Sequence, residues 1–270
     1  MSLNRGKCRP NHYMKISPTE IHLWTANDKD FDHQELLDCC GTWLTEAEQA
    51  RYQRYYFDRH KKQFLLGCYL IRSVLSEYDA VDPQQWKFQK NEYGKPRIVD
   101  SQNSKSLFFN LSHSGEKQVL AVCLSDSVGV DIEQSGKHRR IAKIADRFFA
   151  SKEVIDLLSL IDSEKLSRFY DLWTLKEAYI KACGLGLAIR LQHFIYSFPS
   201  ETGISLSFAD GHDDDVRNWQ MWQIACSGNY KLAIAIKREP ENKITSLSTW
   251  NLNGLGNHTA QNLRLLRRSL

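Results

Sequence analysis

The sequence predicts an α+β protein built from two similar halves. A strand–helix–strand–strand order of elements occurs twice along the chain, and both halves carry the period-two apolar runs typical of half-buried strands. The chain has 270 residues, of which 42% are hydrophobic, so it can bury one large core or two small ones. We therefore expect two linked cores and an ordered protein.

The first half is predicted to begin with a strand at residues 20–26. A long helical region then opens at Thr45, whose hydroxyl is a suitable cap, and its core face recurs every three or four residues from Phe64 to Tyr78. The remaining elements are a strand, a turn and a pair of strands, at residues 86–89, 91–96 and 107–124.

The second half repeats this order of elements. A strand at 127–133 precedes two helices at 141–161 and 163–183, and four strands follow at 194–198, 204–208, 220–226 and 230–236. After Lys237 the periodicity fades, and the closing segment is predicted to be a mobile tail in preference to a basic amphipathic helix. The resulting division is an extension (1–15), two halves (16–126 and 127–238) and a tail (239–270).

Composition excludes several classes of protein. The 36 basic and 32 acidic side chains nearly balance, which does not suit a dedicated nucleic-acid binder. No apolar run approaches the roughly 18 residues that span a bilayer, and no signal peptide is recognisable, so we expect a cytoplasmic protein without a membrane partner. The seven cysteines are scattered and lack C-x-x-C spacing, which favours small buried thiols over disulfides or zinc.

A pair of carboxylates marks the first strand of the second half. Asp131 and Glu133 alternate with apolar residues, so both side chains project from one face. If their oxygens approach to about 4 Å, they repel by about 4 kcal/mol at an effective dielectric constant of about 20. Water screens this repulsion at an exposed strand edge; otherwise a cation is needed, and oxygen ligands without His or Cys suit Mg²⁺.

A third carboxylate, Glu177, lies on the apolar stripe of the last helix in this half. An acid among apolar neighbours needs a partner, either a metal ion or Lys181 at position i+4, which gives an ordinary helix salt bridge. Glu164 and Asp171 fall on the opposite face, where we expect solvated acids.

Three other segments suggest phosphate binding, although each has an ordinary structural explanation. Gly94-Lys95-Pro96 is a turn that lets a ligand approach the backbone, and Ser112-His113-Ser114-Gly115 breaks two apolar runs like a hairpin. The basic run at 51–62 also fits a solvated helix face. Residues 149–153 are interpreted as the start of the first helix of the second half, with the Ser151 hydroxyl as the expected cap and Glu153 in the first turn.

Taken in order, five segments resemble the motifs of the Sfp-type 4′-phosphopantetheinyl transferases. The segments are Gly94-Lys95-Pro96, Asn110-Leu111-Ser112-His113-Ser114, Gly129-Val130-Asp131-Ile132-Glu133, Phe149-Ala150-x-x-Glu153 and Trp173-x-x-Lys176-Glu177-Ala178-x-x-Lys181. Each motif is weak alone, but their order and gaps together are specific. The resemblance extends from about residue 45 to 187 and loosely to 236.

This resemblance implies a pseudo-twofold monomer, in which each half is a small antiparallel sheet packed with helices and coenzyme A and Mg²⁺ lie in the cleft between them. The implied reaction is attack by a serine of an acyl or peptidyl carrier protein on the β-phosphate of coenzyme A. It gives holo-carrier and adenosine 3′,5′-bisphosphate. The implied partners are carrier domains of fatty-acid, polyketide or nonribosomal-peptide synthases.

The resemblance also assigns roles to residues. Asp131, Glu133 and Glu177 would ligate Mg²⁺, with Glu177 also the base, and Lys181 would contact the pyrophosphate. The nucleotide would be held by Lys90, Gly94, Lys95 and Pro96, and the phosphates by Ser112, His113 and Arg51, with Arg51 on the 3′-phosphate. Glu153 would have a structural or supporting role.

Two other functions use the same features. One is a Mg²⁺-dependent phosphohydrolase, in which the acidic trio activates water. The other is a non-catalytic carrier-binding or RNA-binding module, in which the basic helix binds and the acids only solubilise. Neither explains the order of the five motifs.

Overall fold

The computed structural model describes residues 13–125, 127–136, 141–238 and 242–269. Most of the predicted extension, including Cys8, lies outside the described residues. The described helices are α1 (His33–Cys40), α2 (Glu46–Arg54), α3 (Asp58–Tyr78), α4 (Ile141–Phe148), α5 (Ser151–Ser159) and α6 (Asp162–Cys183). The described strands are β1 (Glu20–Asn27), β2 (Phe88–Lys90), β3 (Pro96–Ile98), β4 (Phe108–Ser114), β5 (Lys117–Cys123), β6 (Val128–Gln134), β7 (Phe194–Ser197), β8 (Gly203–Phe208), β9 (Trp219–Ala225), β10 (Tyr230–Lys237), β11 (Ser246–Leu252), β12 (His258–Gln261) and β13 (Leu265–Ser269).

The sheet of the first half has the strand order β12-β11-β1-β5-β4. β5 lies between β1 and β4 and is antiparallel to both. Apolar side chains on one face of this sheet, such as Trp24 and Leu120, pack against Leu36 of α1 and Leu66 of α3. The first half thus has its own core, as the apolar periodicity predicts.

The sheet of the second half has the order β6-β10-β9-β13-β8-β7. Here β10 lies between β6 and β9 and is antiparallel to both, which matches the arrangement of β5 between β1 and β4. Met221 and Ala233 of this sheet pack against Leu172 and Leu175 of α6. The predicted α+β class with antiparallel-rich sheets is therefore confirmed, and the repeated element order corresponds to the same arrangement of three strands in each sheet.

Two predicted helical regions are each interrupted. Between α2 and α3 the backbone is extended at Tyr55 and Phe57, and between α4 and α5 it is extended at Ala150. The first break separates a surface helix with no buried residue, α2, from the core helix α3. At the second break, Glu153 rather than Ser151 closes the helix start, because its carboxylate accepts from the Ala150 N–H at 2.8 Å.

The closing segment is ordered, so the prediction of a mobile tail is wrong. β11 pairs with β1 in parallel, β12 extends that sheet at its edge, and β13 lies between β9 and β8 in the other sheet. Trp250 stacks on Trp24 with ring centroids 5.1 Å apart. The polar, Asn-rich composition of the segment conceals these strands, because strand formation there depends on neighbouring strands from distant parts of the chain and not on local pattern.

The two sheets are joined by a third apolar cluster. Ile21 and Val119 of the first half pack in it with Val130 and Ile234 of the second. β4 and β6 also run side by side at the junction of the halves. The carboxylate-bearing strand of the second half therefore lies directly against the Ser-His-Ser strand of the first.

Two further observations bear on the exclusions made from composition. No helix in the described ranges is both long and apolar enough to cross a membrane. The six described cysteines form no disulfide with one another, and three of them are buried and three half-buried.

Candidate active site

Side chains of β4, rather than a backbone ladder, connect the two halves at the site. Three acceptors take backbone N–H groups of β6: Asn110 Oδ1 from Val130 at 2.9 Å, Ser112 Oγ from Ile132 at 3.3 Å and Ser114 Oγ from Gln134 at 3.0 Å. The predicted interruption at Ser112–Ser114 is wrong, since these residues continue β4, and the chain reverses at Gly115 with φ +58°. Alternate residues of β4 therefore face β6 and fix its register.

The two serine hydroxyls also bind the predicted acids. Ser112 Oγ donates to Asp131 Oδ1 at 3.0 Å, and Ser114 Oγ donates to Glu133 Oε2 at 2.8 Å. Each hydroxyl thus accepts from the β6 backbone and donates to a β6 carboxylate, which restrains the carboxylate's orientation.

Helix α6 lies unusually close to β6. A Cβ atom at Gly129 would lie 2.0 Å from the carbonyl oxygen of Ala178 and 2.4 Å from the nitrogen of Ala182, so only glycine fits. This approach brings Lys181 Nζ to 2.6 Å from Asp131 Oδ1 and 2.9 Å from Ser112 Oγ. The crossing of strand and helix therefore assembles the site.

Asp131 is buried, with 4% of its surface exposed, so water does not screen its charge. One oxygen binds Lys181 and Ser112, but Oδ2 has no hydrogen-bond partner among the described residues. Burial raises the pKa of Asp131, against the opposing effect of the Lys181 ammonium. A buried carboxylate oxygen without a partner is costly, and it points to a missing positively charged or donor group.

Glu177 is half-buried beside the same charges. Burial, followed by the Asp131 carboxylate, raises its pKa to about 6, and Glu133 adds a smaller effect of the same sign. The Lys181 ammonium opposes the shift, but it bonds to Asp131 and forms no ion pair with Glu177 within the described ranges. The ordinary i,i+4 salt bridge is therefore not formed.

Three carboxylates and one lysine thus share the region between β6 and α6. Within the described residues, no three His, Cys, Asp or Glu side chains are positioned as a metal-binding group. The chemistry of the donor set nevertheless fits a hard divalent cation, because the carboxylates repel one another and Asp131 Oδ2 is unpaired.

The predicted phosphate-binding residues lie on the first-half side of this region. Surrounding protein atoms, then the charges of Lys181 and Arg51, lower the pKa of His113, whose imidazole reaches the surface. The exposed Arg51 lies with its guanidinium carbon 5.3 Å from the centre of the Phe64 ring. Arg51, His113 and Lys181 therefore lie within electrostatic range of one another, and Arg51 and Lys181 carry the positive charge, which the sequence could not establish.

The Gly-Lys-Pro turn is shaped by its own side chains. Gly94 has φ +90°, a conformation that favours glycine, and Asn91 Oδ1 accepts from the N–H groups of Tyr93 and Lys95. The following Pro96 pairs with Lys90, whose side chain is exposed.

The same turn is attached to the second half. Asn91 Nδ2 donates to the carbonyl of Gly184 at 2.7 Å, and Lys95 Nζ donates to those of Ala182 at 3.0 Å and Val128 at 3.1 Å. Two of the hydrogen bonds that the Lys95 ammonium donates therefore hold the turn against the end of α6.

One predicted solvated acid is buried. Asp171 is 4% exposed and forms ion pairs with Lys231 at 2.8 Å and Arg267 at 3.2 Å. The prediction of a solvated far side failed because α6 is covered on nearly all sides, including by the sheet that contains β10 and β13. Asp171 is therefore a structural acid, tied to the C-terminal strand.

Glu153 and Lys176 form a completely buried ion pair at 2.9 Å. Glu153 also accepts from the N–H of Tyr196 at 2.8 Å, and Lys176 donates to the carbonyls of Leu191 and Phe194. Burial lowers the pKa of Lys176 to about 8. The pair connects α5, α6 and β7, so its contacts are structural.

Sequence reasoning did not assign roles to Asn110, Ser114 and Gly129, which orient β6. Asn110 and Ser114 alternate with Ser112 along the chain. Once residues 112–114 are placed in a strand, this alternation indicates that the three side chains share one face. Position 129 requires glycine because α6 approaches it at Ala178 and Ala182, which come much later in the chain. The residues around Gly129 therefore carry no local signal of this requirement.

A surface depression of about 620 Å³ is present in the second half. It is bounded by the start of α5 and includes Phe149, Ile155 and Ile195. None of the predicted site residues lines it.

Family models match both halves of the chain. A model described as the 4′-phosphopantetheinyl transferase superfamily matches residues 127–235, and one described as the N-terminal part of 4′-phosphopantetheinyl transferase matches residues 23–125. The boundary between them falls at the link between β5 and β6.

Curated relatives give the same indication. HetI of Nostoc sp., a 4′-phosphopantetheinyl transferase, is 38% identical over 63% of this chain and 70% of its own. Two transferases of Bacillus subtilis are also similar: ffp is 36% identical over 66% of this chain and 77% of its own, and Sfp is 34% identical over 63% and 74%.

Proposed function

Because the chain belongs to the 4′-phosphopantetheinyl transferase family, we propose that it transfers the 4′-phosphopantetheine group of coenzyme A to a serine of an apo carrier protein. The products are holo-carrier and adenosine 3′,5′-bisphosphate. The observation that carries the proposal is that Asp131, Glu133 and Glu177 lie together with Lys181, beside Arg51 and His113.

The cations Arg51 and Lys181, with the hydrogen-bonding side chains beside them, suit the substrate's phosphates. We assign Lys181 to the pyrophosphate, Ser112 and His113 to phosphate oxygens, and Arg51 to the 3′-phosphate. Phosphoryl transfer depends mainly on positioning and neutralisation of charge, which these cations and hydroxyls supply. The exposed Lys90 and the backbone of Gly94, Lys95 and Pro96 are assigned to the nucleotide.

The carboxylates suit Mg²⁺, which would be held by Asp131, Glu133 and Glu177. When bound, the ion neutralises developing charge on the transferred phosphoryl group. The chain's own residues orient these ligands, since Ser112 and Ser114 each hydrogen-bond one of them.

Glu177 is the proposed proton acceptor. The serine oxygen of the carrier forms a bond to the β-phosphorus of coenzyme A as the bond to the departing nucleotide phosphate breaks, and the serine proton passes to Glu177. A pKa of about 6 leaves Glu177 mostly ionised near neutral pH but more basic than an ordinary glutamate.

The proposed partners are acyl and peptidyl carrier domains of fatty-acid, polyketide or nonribosomal-peptide synthases. We also propose that the protein is cytoplasmic and monomeric. Size-exclusion chromatography of the purified chain tests the monomer.

Transfer is tested by incubating the purified protein with coenzyme A, Mg²⁺ and a panel of apo carriers from these synthases. We expect a carrier to gain the mass of one phosphopantetheinyl group, with release of adenosine 3′,5′-bisphosphate. No mass gain on any carrier contradicts the proposal, and release of inorganic phosphate supports a phosphohydrolase instead. The Asp131→Ala variant is the negative control.

A further inference from the structure

We infer that Arg72 is a positioning residue, which orients Arg51 by anchoring helix α2 through Glu48. The inference rests on the proposed function, in which Arg51 binds the 3′-phosphate of coenzyme A. Arg72 itself is buried in α3, and its described contacts are with protein groups.

Helix α2 has little apolar contact with the rest of the protein. None of its nine residues is buried, although Tyr52 packs partly against the first core and its hydroxyl lies 3.0 Å from His33 Nε2. The Arg51 guanidinium also lies over the Phe64 ring of α3, but neither contact involves a buried residue of α2. A buried attachment would restrain the rotation of this short helix more strongly.

Arg72 supplies that buried attachment. Its side chain is 2% exposed, and Nη2 donates to both carboxylate oxygens of Glu48, at 3.0 Å and 2.8 Å. The guanidinium carbon also lies 5.1 Å from the centre of the Phe88 ring. Moving the Glu48 carboxylate away would leave the Arg72 charge buried without its ion-pair partner, which is energetically costly.

Glu48 transmits the constraint to Arg51. The same carboxylate accepts from the Thr45 N–H at 2.9 Å and so closes the first turn of α2. Arg51 follows Glu48 by three residues, which places the two side chains on the same helix face. The Arg72–Glu48 pair therefore sets both the start and the rotation of the helix that directs Arg51 towards His113.

The test compares kcat/KM for coenzyme A with that for 3′-dephospho-coenzyme A. The double variant Arg72→Met/Glu48→Gln removes the anchor without leaving a buried unpaired charge, and glutamine retains the capping acceptor. We expect the preference for coenzyme A to fall by about tenfold, as for loss of one hydrogen bond to a charged group, while kcat with 3′-dephospho-coenzyme A is retained. In an Arg51→Ala background the same double substitution should not change the ratio further.

The matched control is Lys176→Met/Glu153→Gln, which removes the other buried ion pair, far from α2 along the chain. It should leave the preference unchanged even if it lowers the melting temperature. An unchanged preference in Arg72→Met/Glu48→Gln, with an active wild type that prefers coenzyme A, overturns this inference alone. Absence of transfer by the wild type overturns the proposed function, and equal use of both substrates by the wild type overturns the role of Arg51.

Discussion

At the level of single residues, the carboxylate cluster is held at a cost in stability. Asp131 is buried with one unpaired oxygen, and Glu177 is half-buried near it with a raised pKa. Both observations have the same cause, which is that negative charges are removed from water without enough positive charge nearby. A bound cation would restore this balance, so the site is suited to ligand binding and not to maximal stability of the ligand-free protein.

Glu177→Gln should therefore stabilise the metal-free protein while abolishing transfer. The folded-state pKa of about 6 lies above the ordinary 4.5, so stability is lost as the pH rises from about 4.5 through 6 and Glu177 ionises. At pH 7.5 we expect the variant to be more stable by about 2 kcal/mol. Chemical denaturation at pH 7.5 and pH 4.5 measures the difference, which should nearly vanish at the lower pH.

The metal assignment gives a second measurement on the same variant. Mg²⁺ should raise the melting temperature of the wild type more than that of Glu177→Gln, because only the wild type keeps all three carboxylates. An equal shift in both proteins, or near-normal transfer by the variant, contradicts the assignment.

Ser114→Ala tests the hydroxyl that orients Glu133. The substitution removes the 2.8 Å hydrogen bond to Glu133 and the acceptor for the Gln134 N–H. We expect Mg²⁺ affinity, measured from activity and from thermal shift, to fall by about tenfold. Ser104→Ala, which loses a surface serine bonded to Asp79, is the control and should behave like the wild type.

At the level of elements, the crossing of β6 and α6 decides the geometry of the site. Gly129 permits backbone contact between them, and Asp131 and Lys181 lie on the two crossing segments. If β6 and α6 moved apart by even a fraction of an ångström, the distance between Asp131 and Lys181 would increase directly.

Gly129→Ala should lower both stability and transfer. The added methyl group would lie within 2.0 Å of the Ala178 carbonyl oxygen, so the helix must move away from the strand. We expect a loss of about 1–3 kcal/mol by chemical denaturation and a large fall in kcat/KM. Gly136→Ala is the comparison, because its backbone does not need glycine and the nearest atom to the added carbon, Asn229 Nδ2, lies 3.9 Å away; unchanged activity in Gly129→Ala would refute the crossing argument.

The buried pair at the start of α5 makes a further prediction at this level. Lys176→Met leaves Glu153 buried without its ion-pair partner and should cost about 3–5 kcal/mol in unfolding free energy. Lys176→Met/Glu153→Gln should recover much of that loss, because no buried charge remains. Equal stability of the single and double variants, measured by urea denaturation, would contradict a charged pair.

At the level of the whole molecule, the last described segment connects the two sheets. β11 and β12 extend the first sheet, and β13 completes the second by separating β9 from β8. Arg267 of β13 also reaches Asp171 of α6. The orientation of the halves, and hence the distance from Arg51 to the carboxylates, depends partly on this segment.

Deletion of residues 262–270 should destabilise the second half selectively. Without β13, the inner edges of β8 and β9 are unpaired and Asp171 loses one of its two cations. We expect amide hydrogen exchange in β8 and β9 to accelerate strongly, while β1 retains its protection because β5 and β11 still flank it. Uniform acceleration in both sheets would show that the halves unfold as one unit.

The sequence by itself determined the features that depend on local pattern. Periodicity was enough to predict most helices and strands, the repeated element order and the face shared by Asp131 and Glu133, because side-chain direction repeats every 2 or 3.6 residues. The resemblance then supplied the family and a set of candidate residues. These predictions required no knowledge of which distant segments meet.

Only the tertiary structure decided how the residues are combined. The burial of Asp171, the strands after residue 245 and the fit of α6 against Gly129 all depend on contacts between segments far apart in the chain. The unpaired oxygen of Asp131 and the anchor from Arg72 to Glu48 also arise only when those segments pack together. The physical reason is that burial and charge interactions depend on distance in space, whereas a sequence pattern reports only which way a side chain points within its own element.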